Sequence, residues 1–409
     1  MAQGKNIYIS REIEATLKKA ASQFPAVAIT GPRQSGKSTL AGEIFGKTHT
    51  LVSFDDPVTR ERAVSDPRLL IESSGDRIVF DEIQYVPEVL SYIKMAIDEK
   101  RAKRGRFIIT GSQQFHLIKN LGDTLAGRIA LLELLPFSLK EAGSVPSLKG
   151  KIKDTRKSFE HFCLRGTFPE TNVHRDIDGD TWYGSYLQTY LERDVRTIYN
   201  IGVLRQFQQF LRLLAGRCSQ VLNLSTYARD LGVSINTIKQ WLSVLEACRM
   251  VYLLAPYYRN TGKRVTKSPK VYFLDTGLVC YLTGVKTADL LFGGPLAGPL
   301  FENFIVQETV KSFLNRGARP GLFFLRTHNG LEVDLIIESN QKLFPFEIKK
   351  TGTPGVGMAA PIERFRKVFS GLKIAHGRLL SLSSRELQLT ENVSVQNMDS
   401  YLDSLRSFI

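Results

Sequence analysis

Short, unbroken apolar runs alternate with amphipathic stretches through the first third of the chain. Residues 26–30 (AVAIT), 48–54 (THTLVSF), 76–83 (DRIVFDEI), 106–112 (RFIITGS) and 129–137 (IALLELLPF) have the length and β-branched content of buried strands. Residues 87–100 (PEVLSYIKMAIDEK) carry helical spacing behind a proline suited to a first turn. Residues 11–22 put Ile13, Leu17 and Ala20 on one helical face. Runs that are apolar on both faces, alternating with helices, predict a parallel sheet covered on both sides.

The pattern then changes. Residues 140–158 are polar and basic and read as a linker. Residues 159–260 are mostly helical in spacing. Within them, residues 222–254 predict two helices around a turn at Gly232, with Ser225 and Ser234 as N-caps. Residues 257–274 predict a hairpin with a basic tip. Farther on, a helix is expected over 298–316, strands over 321–328, 331–339 and 343–350, a helix over 361–369 and a strand over 377–384. No internal repeat is visible. The division expected is 1–145, 159–285 and 290–409, an α/β parallel-sheet domain, a helical domain and a second α/β domain.

Composition narrows the partners. The 409 residues suffice for two or three domains, and 43% are hydrophobic. Fifty-five Lys and Arg face 40 acids, a net charge of +15 that suits a polyanion, most simply nucleic acid. Cys163, Cys218, Cys248 and Cys280 form no CxxC pair and sit among apolar neighbours, as reduced core residues would. No apolar run reaches the roughly 18 residues of a membrane span, and the first ten residues lack a signal peptide's apolar core. A cytoplasmic protein with no membrane partner is expected.

The loop from Gly31 through Pro32, Arg33, Gln34, Ser35, Gly36, Lys37 and Ser38 to Thr39 matches G-x-x-x-x-G-K-[ST], after a buried strand and before a helix. Its glycines let backbone N–H groups turn inward around phosphate oxygens, and the helix N-terminus adds positive potential. ATP and Mg²⁺ are the expected ligands, with Lys37 on the β and γ phosphates and Ser38 on the metal. About fifty residues later an apolar strand ends in Asp81-Glu82. Asp81 would hold Mg²⁺ and Glu82 would polarise the attacking water. Ser112 closes the next strand, where a hydroxyl would sense the γ-phosphate.

In the middle block, Asn236, Thr237, Lys239 and Gln240 lie opposite Ile238, Leu242 and Leu245 on one helix. The hairpin tip interleaves aromatics with Arg259, Lys263, Arg264 and Lys267. Two helices, a tight turn and a basic hairpin read as a winged helix-turn-helix able to follow a phosphate backbone. In the last block, Asp334, Glu347 and Lys349 have the spacing D-x12-E-x-K. Glu347 and Lys349 face one side of a strand, and Asp334 can meet them across a hairpin. Two carboxylates suit Mg²⁺ or Mn²⁺, and the lysine suits orienting water.

The succession of phosphate loop, Asp-Glu, polar strand end and Arg128 resembles the AAA+ superfamily. That resemblance implies that Arg128 acts as an arginine finger on a neighbouring subunit, hence a homo-oligomer, a ring such as a hexamer. The carboxylate block resembles the PD-(D/E)xK nucleases, in which a helix glutamate, here Glu302, completes the metal site; Val333 stands where those enzymes often have proline. The landmarks TGPRQSGKSTL, VFDEIQ, ITGSQQF, LAGR, GTFPE, YFLDTGL, EVDLII and FEIKK span nearly the whole chain. Together they resemble a widespread group of prokaryotic AAA+ ATPases with a C-terminal region of unknown function. An ATPase acting on DNA, with a C-terminal nuclease, is the expectation. A DNA translocase whose nuclease-like domain does not cut, and a signalling switch that binds proteins, are the alternatives.

Overall fold

The five apolar runs of the first third are strands, and all run parallel. β1 (Ala26–Thr30), β2 (Thr50–Ser53), β3 (Ile78–Asp81), β4 (Phe107–Gly111) and β5 (Ile129–Glu133) pair in the order β2-β3-β4-β1-β5. The computed structural model describes residues 8–112, 125–152, 154–191, 204–257 and 267–409. Successive side chains of a strand point to opposite faces, and β1 follows that rule. Ala26 and Ala28 join one core with Val89, Ile93 and Ile97 of the helix Val89–Glu99. Val27 and Ile29 join another with Leu17 of α1 (Glu14–Gln23) and Leu40 of α2 (Lys37–Phe45). Both faces are therefore covered, as the apolar runs required.

The stretch expected to be a linker is packed. A short helix, Leu139–Gly143, opens with a capping box between Ser138 and Glu141. Ala142, Val145 and Leu148 are buried, while Lys140 and Lys149 face solvent. The polar residues that suggested mobility form the outer side of a turn whose inner side recurs every three residues. A second helix, Thr155–Arg165, follows almost at once.

α3 (Leu224–Leu231) and α4 (Ile235–Ala247) flank Gly232, whose φ of 64° suits the left-handed residue between them. Ser234 caps α4 by accepting from the Thr237 N–H. Asn223, not Ser225, caps α3: it accepts from the Thr226 N–H, and Ser225 lies inside the helix with its hydroxyl donating to Asn223. β6 (Val251–Pro256) and β7 (Lys270–Phe273) then form an antiparallel hairpin. Its tip, with Arg259, Lys263 and Arg264, lies outside the described residues.

That hairpin is not free-standing. β6 also pairs in parallel with β8 (Leu322–Arg326), through Ala255 with Phe323 and Pro256 with Phe324. Beyond β8 come β9 (Glu332–Ser339), β10 (Lys342–Lys349), β11 (Gly377–Ser381), β12 (Leu387–Thr390) and β13 (Val393–Gln396). The mixed eight-stranded sheet has the order β12-β13-β11-β10-β9-β8-β6-β7. One core takes in Ile9 and residues from Leu135 to Leu405 and is shared by the middle helices and this sheet. α5 (Ala297–Leu314) crosses it with 14 of its 18 residues buried, so it shows no amphipathic stripe. All four cysteines are buried free thiols. Among the described residues, no helix is long and apolar enough to cross a membrane.

Two sequence landmarks without assigned chemistry, GTFPE and YFLDTGL, lock together. The Asp275 carboxylate accepts from the Thr167 N–H at 2.6 Å, the Thr167 hydroxyl at 2.7 Å, the Leu278 N–H at 2.7 Å and the Tyr183 hydroxyl. A Cβ at Gly277 would lie 2.5 Å from Gly166 Cα and 2.5 Å from the Tyr183 oxygen. Gly277→Ala is therefore expected to destabilise the fold by about 1–3 kcal/mol or more, as overpacking does, and denaturant unfolding followed by circular dichroism measures it. An unchanged midpoint would show that the two loops do not meet this closely.

Candidate nucleotide site and the C-terminal carboxylate cluster

The loop Gly31 to Gly36 leaves β1, the strand between β4 and β5, at the carboxyl edge of the five-stranded sheet, where open α/β sheets bind their ligands. Its shape depends on contacts no side chain would allow. A Cβ on Gly31 (φ 148°) would sit 2.1 Å from the Leu134 carbonyl oxygen. Gly36 (φ 92°) is the N-cap residue of α2. Gln34 is left-handed too, with φ 59°.

Arg11 fixes the loop from behind. Buried at 5% exposure, it donates to the Ser35 carbonyl at 2.7 Å and the Leu135 carbonyl at 2.6 Å, pairs with Glu141 at 3.1 Å, and lies over the Phe137 ring. Lys37 folds back inside the loop, its ammonium 3.2 Å from the Gly31 carbonyl and 2.8 Å from that of Pro32. Burial lowers its pKa to about 8, against the opposing pull of Glu82 and Asp81. Ser38 and Thr39 are exposed on the first turn of α2, and Arg33 is half-buried beside the loop.

The acidic pair meets this loop. The Ser38 hydroxyl donates to Asp81 at 2.7 Å, and the Thr110 hydroxyl donates to the same Asp81 oxygen. A hydroxyl and a carboxylate side by side at a phosphate loop are hard oxygen donors of the kind Mg²⁺ takes. Glu82 has φ 56°, sparse for a non-glycine residue. Its N–H donates to the Thr110 hydroxyl at 3.2 Å. Its carboxylate accepts from Ser112 at 3.2 Å and from Gln84, whose amide also donates to Ser112 at 3.2 Å. The strained backbone thus turns Glu82 away from Asp81 and onto the end of β4. Thr110 and Gln84 were given no role from sequence, although both lie inside quoted landmarks, FIITGS and VFDEIQ. Only pairing of β3 beside β4 shows what they touch.

Arg128 stands elsewhere. Ala26 pairs with Ile129, and the Ala26 N–H donates to the Arg128 carbonyl, so Arg128 begins β5 at the opposite edge of the sheet. Five residues of strand, roughly 16 Å at about 3.3 Å each, separate it from the phosphate loop of its own chain. Its guanidinium makes two bonds to Asp98, at 2.7 and 3.1 Å.

A pocket of about 310 Å³ opens beside the loop. Tyr8, Gly36, Thr39 and Glu43 line one side, and Pro169 and Glu170 of the GTFPE segment, with His174 just beyond it, line the other. At the far end of β5, Glu133 pairs with Arg249, the residue joining α4 to the hairpin. The helical block therefore touches the nucleotide edge of the sheet at two places.

The structure also gathers Glu302, Asp334, Glu347 and Lys349, and adds a residue the spacing could not show. Lys270, on β7, is 2% exposed and lies 3.0 Å from Glu302, 2.7 Å from Glu332 and 3.9 Å from Asp334. Burial opposes its charge, but Glu302, Asp334 and Glu332 outweigh burial and raise its pKa. Glu302 also accepts from the Tyr272 hydroxyl, and burial lifts its pKa to about 7. Asp334 accepts from the Ile348 N–H at 2.9 Å and lies 3.6 Å from Lys349, which also pairs with Glu347. Burial, reinforced by the neighbouring Asp334, pushes Glu347 upward. Among the described residues no group of three or more His, Cys, Asp or Glu is arranged to hold a metal ion.

A five-stranded parallel sheet with a phosphate loop after its first strand resembles the P-loop NTPases, and residues 23–143 match the AAA domain family. Residues 156–289 and 297–401 match two domains of unknown function, DUF8612 and DUF4143. The uncharacterized protein Rv2008c of Mycobacterium tuberculosis is 29% identical over 96% of this chain and 84% of its own length. The uncharacterized protein MJ1544 of Methanocaldococcus jannaschii is 24% identical over 85% of this chain and 79% of its own. The Walker-type ATPase paby2304 of Pyrococcus abyssi superposes over 68% of this chain and 97% of its own, with 15% identity and a TM-score of 0.46.

Arg11 makes the site's geometry testable without nucleotide chemistry. Removing one partner of a buried pair costs about 3–5 kcal/mol, so Arg11→Ala is expected to lower the melting temperature and to weaken nucleotide binding in calorimetry. Full retention of affinity in a folded variant would remove Arg11 from the support of the loop.

Proposed function

We propose that the protein is a Mg²⁺-dependent ATPase that uses hydrolysis to do work on DNA. The observation that carries the hydrolytic part is the meeting of Lys37, Ser38, Asp81, Glu82 and Ser112 at one edge of the sheet. Lys37 would hold the β and γ phosphates and Glu82 would take a proton from the attacking water. Ser112 and Gln84, both bonded to the Glu82 carboxylate, would fix its direction. Bound Mg²⁺ would neutralise phosphate charge between Ser38 and Asp81. The pocket between Tyr8, Thr39 and Glu170 would take the nucleoside. Closure of Glu170 and His174 over it, together with the Glu133–Arg249 pair, would pass the nucleotide state to the helical block.

Arg128 can serve only in trans, since its own phosphate loop lies across the sheet. A finger role therefore requires a homo-oligomer in which Arg128 exchanges Asp98 for the neighbour's phosphate, the geometry of a ring. DNA is supported by the charge of +15 and by the exposed Asn236, Lys239 and Gln240 on α4. These residues with the basic hairpin would form a winged helix-turn-helix contact. The C-terminal cluster favours the second DNA reading, a motor whose nuclease-like sheet grips without cutting, because Lys270 already lies among its carboxylates.

Glu82→Gln should reduce ATP turnover by at least about a hundredfold, the scale of general-base catalysis, and leave binding of ATP intact; normal turnover would displace Glu82 from the reaction. Lys239→Ala should weaken DNA binding uniformly across sequences and shrink the slope of log K against log salt by about 1. An unchanged slope, with ATPase indifferent to DNA at low salt, would favour the signalling-switch alternative.

A further inference from the structure

Every carboxylate of the C-terminal cluster already has an internal partner. The Lys270 ammonium reaches Glu302 at 3.0 Å and Glu332 at 2.7 Å, and Asp334 lies 3.9 Å away. Tyr272 donates to Glu302, the Ile348 N–H donates to Asp334, and Lys349 pairs with Glu347. One oxygen, Glu347 Oε2, is buried without a hydrogen bond, and a single oxygen does not bind a divalent ion. A Mg²⁺ between Asp334 and Glu347 needs oxygens at about 2.0–2.1 Å in near-octahedral array. It would sit within a few ångströms of the half-exposed Lys349 ammonium and of the Lys270 ammonium, which at 2% exposure has no route to solvent. Coulomb repulsion in such a buried place is weakly screened. The donor set therefore does not fit the metal that the D-x12-E-x-K spacing implies.

We infer that the Lys270 ammonium is the resident cation among Glu302, Glu332 and Asp334, so that the wild-type site takes no divalent metal and becomes a Mg²⁺ or Mn²⁺ site when Lys270 is made neutral. This rests on the non-cutting reading of the sheet and is independent of ATP hydrolysis. Lys270 fits the role because β7 carries it in from the hairpin and its ammonium lies over the Phe324 ring, 5.4 Å from the centroid. It lies outside the D-x12-E-x-K spacing altogether.

Mn²⁺ binding to the full chain, followed by the loss of the free-ion electron paramagnetic resonance signal, tests it. Wild type, Asp334→Asn and Glu347→Gln are expected to bind the same number of ions, since any ion at Ser38 and Asp81 is common to all three. Loss of one equivalent in either variant would overturn the inference. Lys270→Met is expected to gain one equivalent per chain and to lose it again when Asp334→Asn is added. A folded Lys270→Met without that gain would also overturn it; if the variant does not fold, the wild-type comparison decides. ATP turnover and DNA cutting are separate readouts, so failure of the motor reading would not be mistaken for failure of this one.

Discussion

Helix α5 is the constraint on which the rest of the chain depends. Fourteen of its residues are buried, among them an ion pair, Glu308 with Lys311, at 3.0 Å. A buried pair is tolerable only when its remaining hydrogen bonds are filled. Here they are filled by the segment leaving the ATPase sheet: the Leu139 N–H donates to Glu308 at 2.6 Å, and Lys311 donates to the Phe137 carbonyl at 2.9 Å. Thr16 of α1 donates to the Asn315 carbonyl just past the helix end. The last helical block is thus fastened to the strand that flanks the phosphate loop. At its other end the same helix presents Glu302 to the Lys270 cluster.

Two buried ionic knots therefore sit at the two ends of one rigid element, and they differ in kind. The Glu308–Lys311 pair is satisfied by backbone groups and joins sheets. The Lys270 cluster joins the hairpin to β9 and β10, with more carboxylates than ammonium groups, and settles the excess partly by raising the pKa of Glu302 and Glu347. Arg11 plays a third part at the phosphate loop, holding the backbone that must receive nucleotide. In each case a cation from a distant part of the chain settles polar groups that the local sequence leaves open.

The nucleotide site shows how local rules and strain combine. The loop needs glycine at Gly31 because a carbonyl lies where a side chain would be. Glu82, by contrast, is held in a left-handed conformation that its residue type resists, through bonds to Thr110, Gln84 and Ser112. Strain held by converging hydrogen bonds is common where a side chain must point in one direction. It separates Glu82 from Asp81, so adjacent carboxylates take different work.

The sequence by itself determined the parallel sheet, because an apolar run of four or five residues between helices has few other uses. It determined the phosphate loop and the Asp81-Glu82 pair, because each is a contiguous run of residues directly after an apolar strand. It also brought out Asp334, Glu347 and Lys349, whose alternation on a strand is a local fact. Only the tertiary structure decided what lies opposite these groups. Gln84 and Thr110 became part of the nucleotide edge through the β3–β4 register, and Lys270 entered the carboxylate cluster through a strand 64 residues before Asp334. The stretch at 140–158 became core because Ala142, Val145 and Leu148 found apolar partners that a polar neighbourhood concealed. Periodicity and spacing act along the chain; the partner of a buried charge is chosen across it.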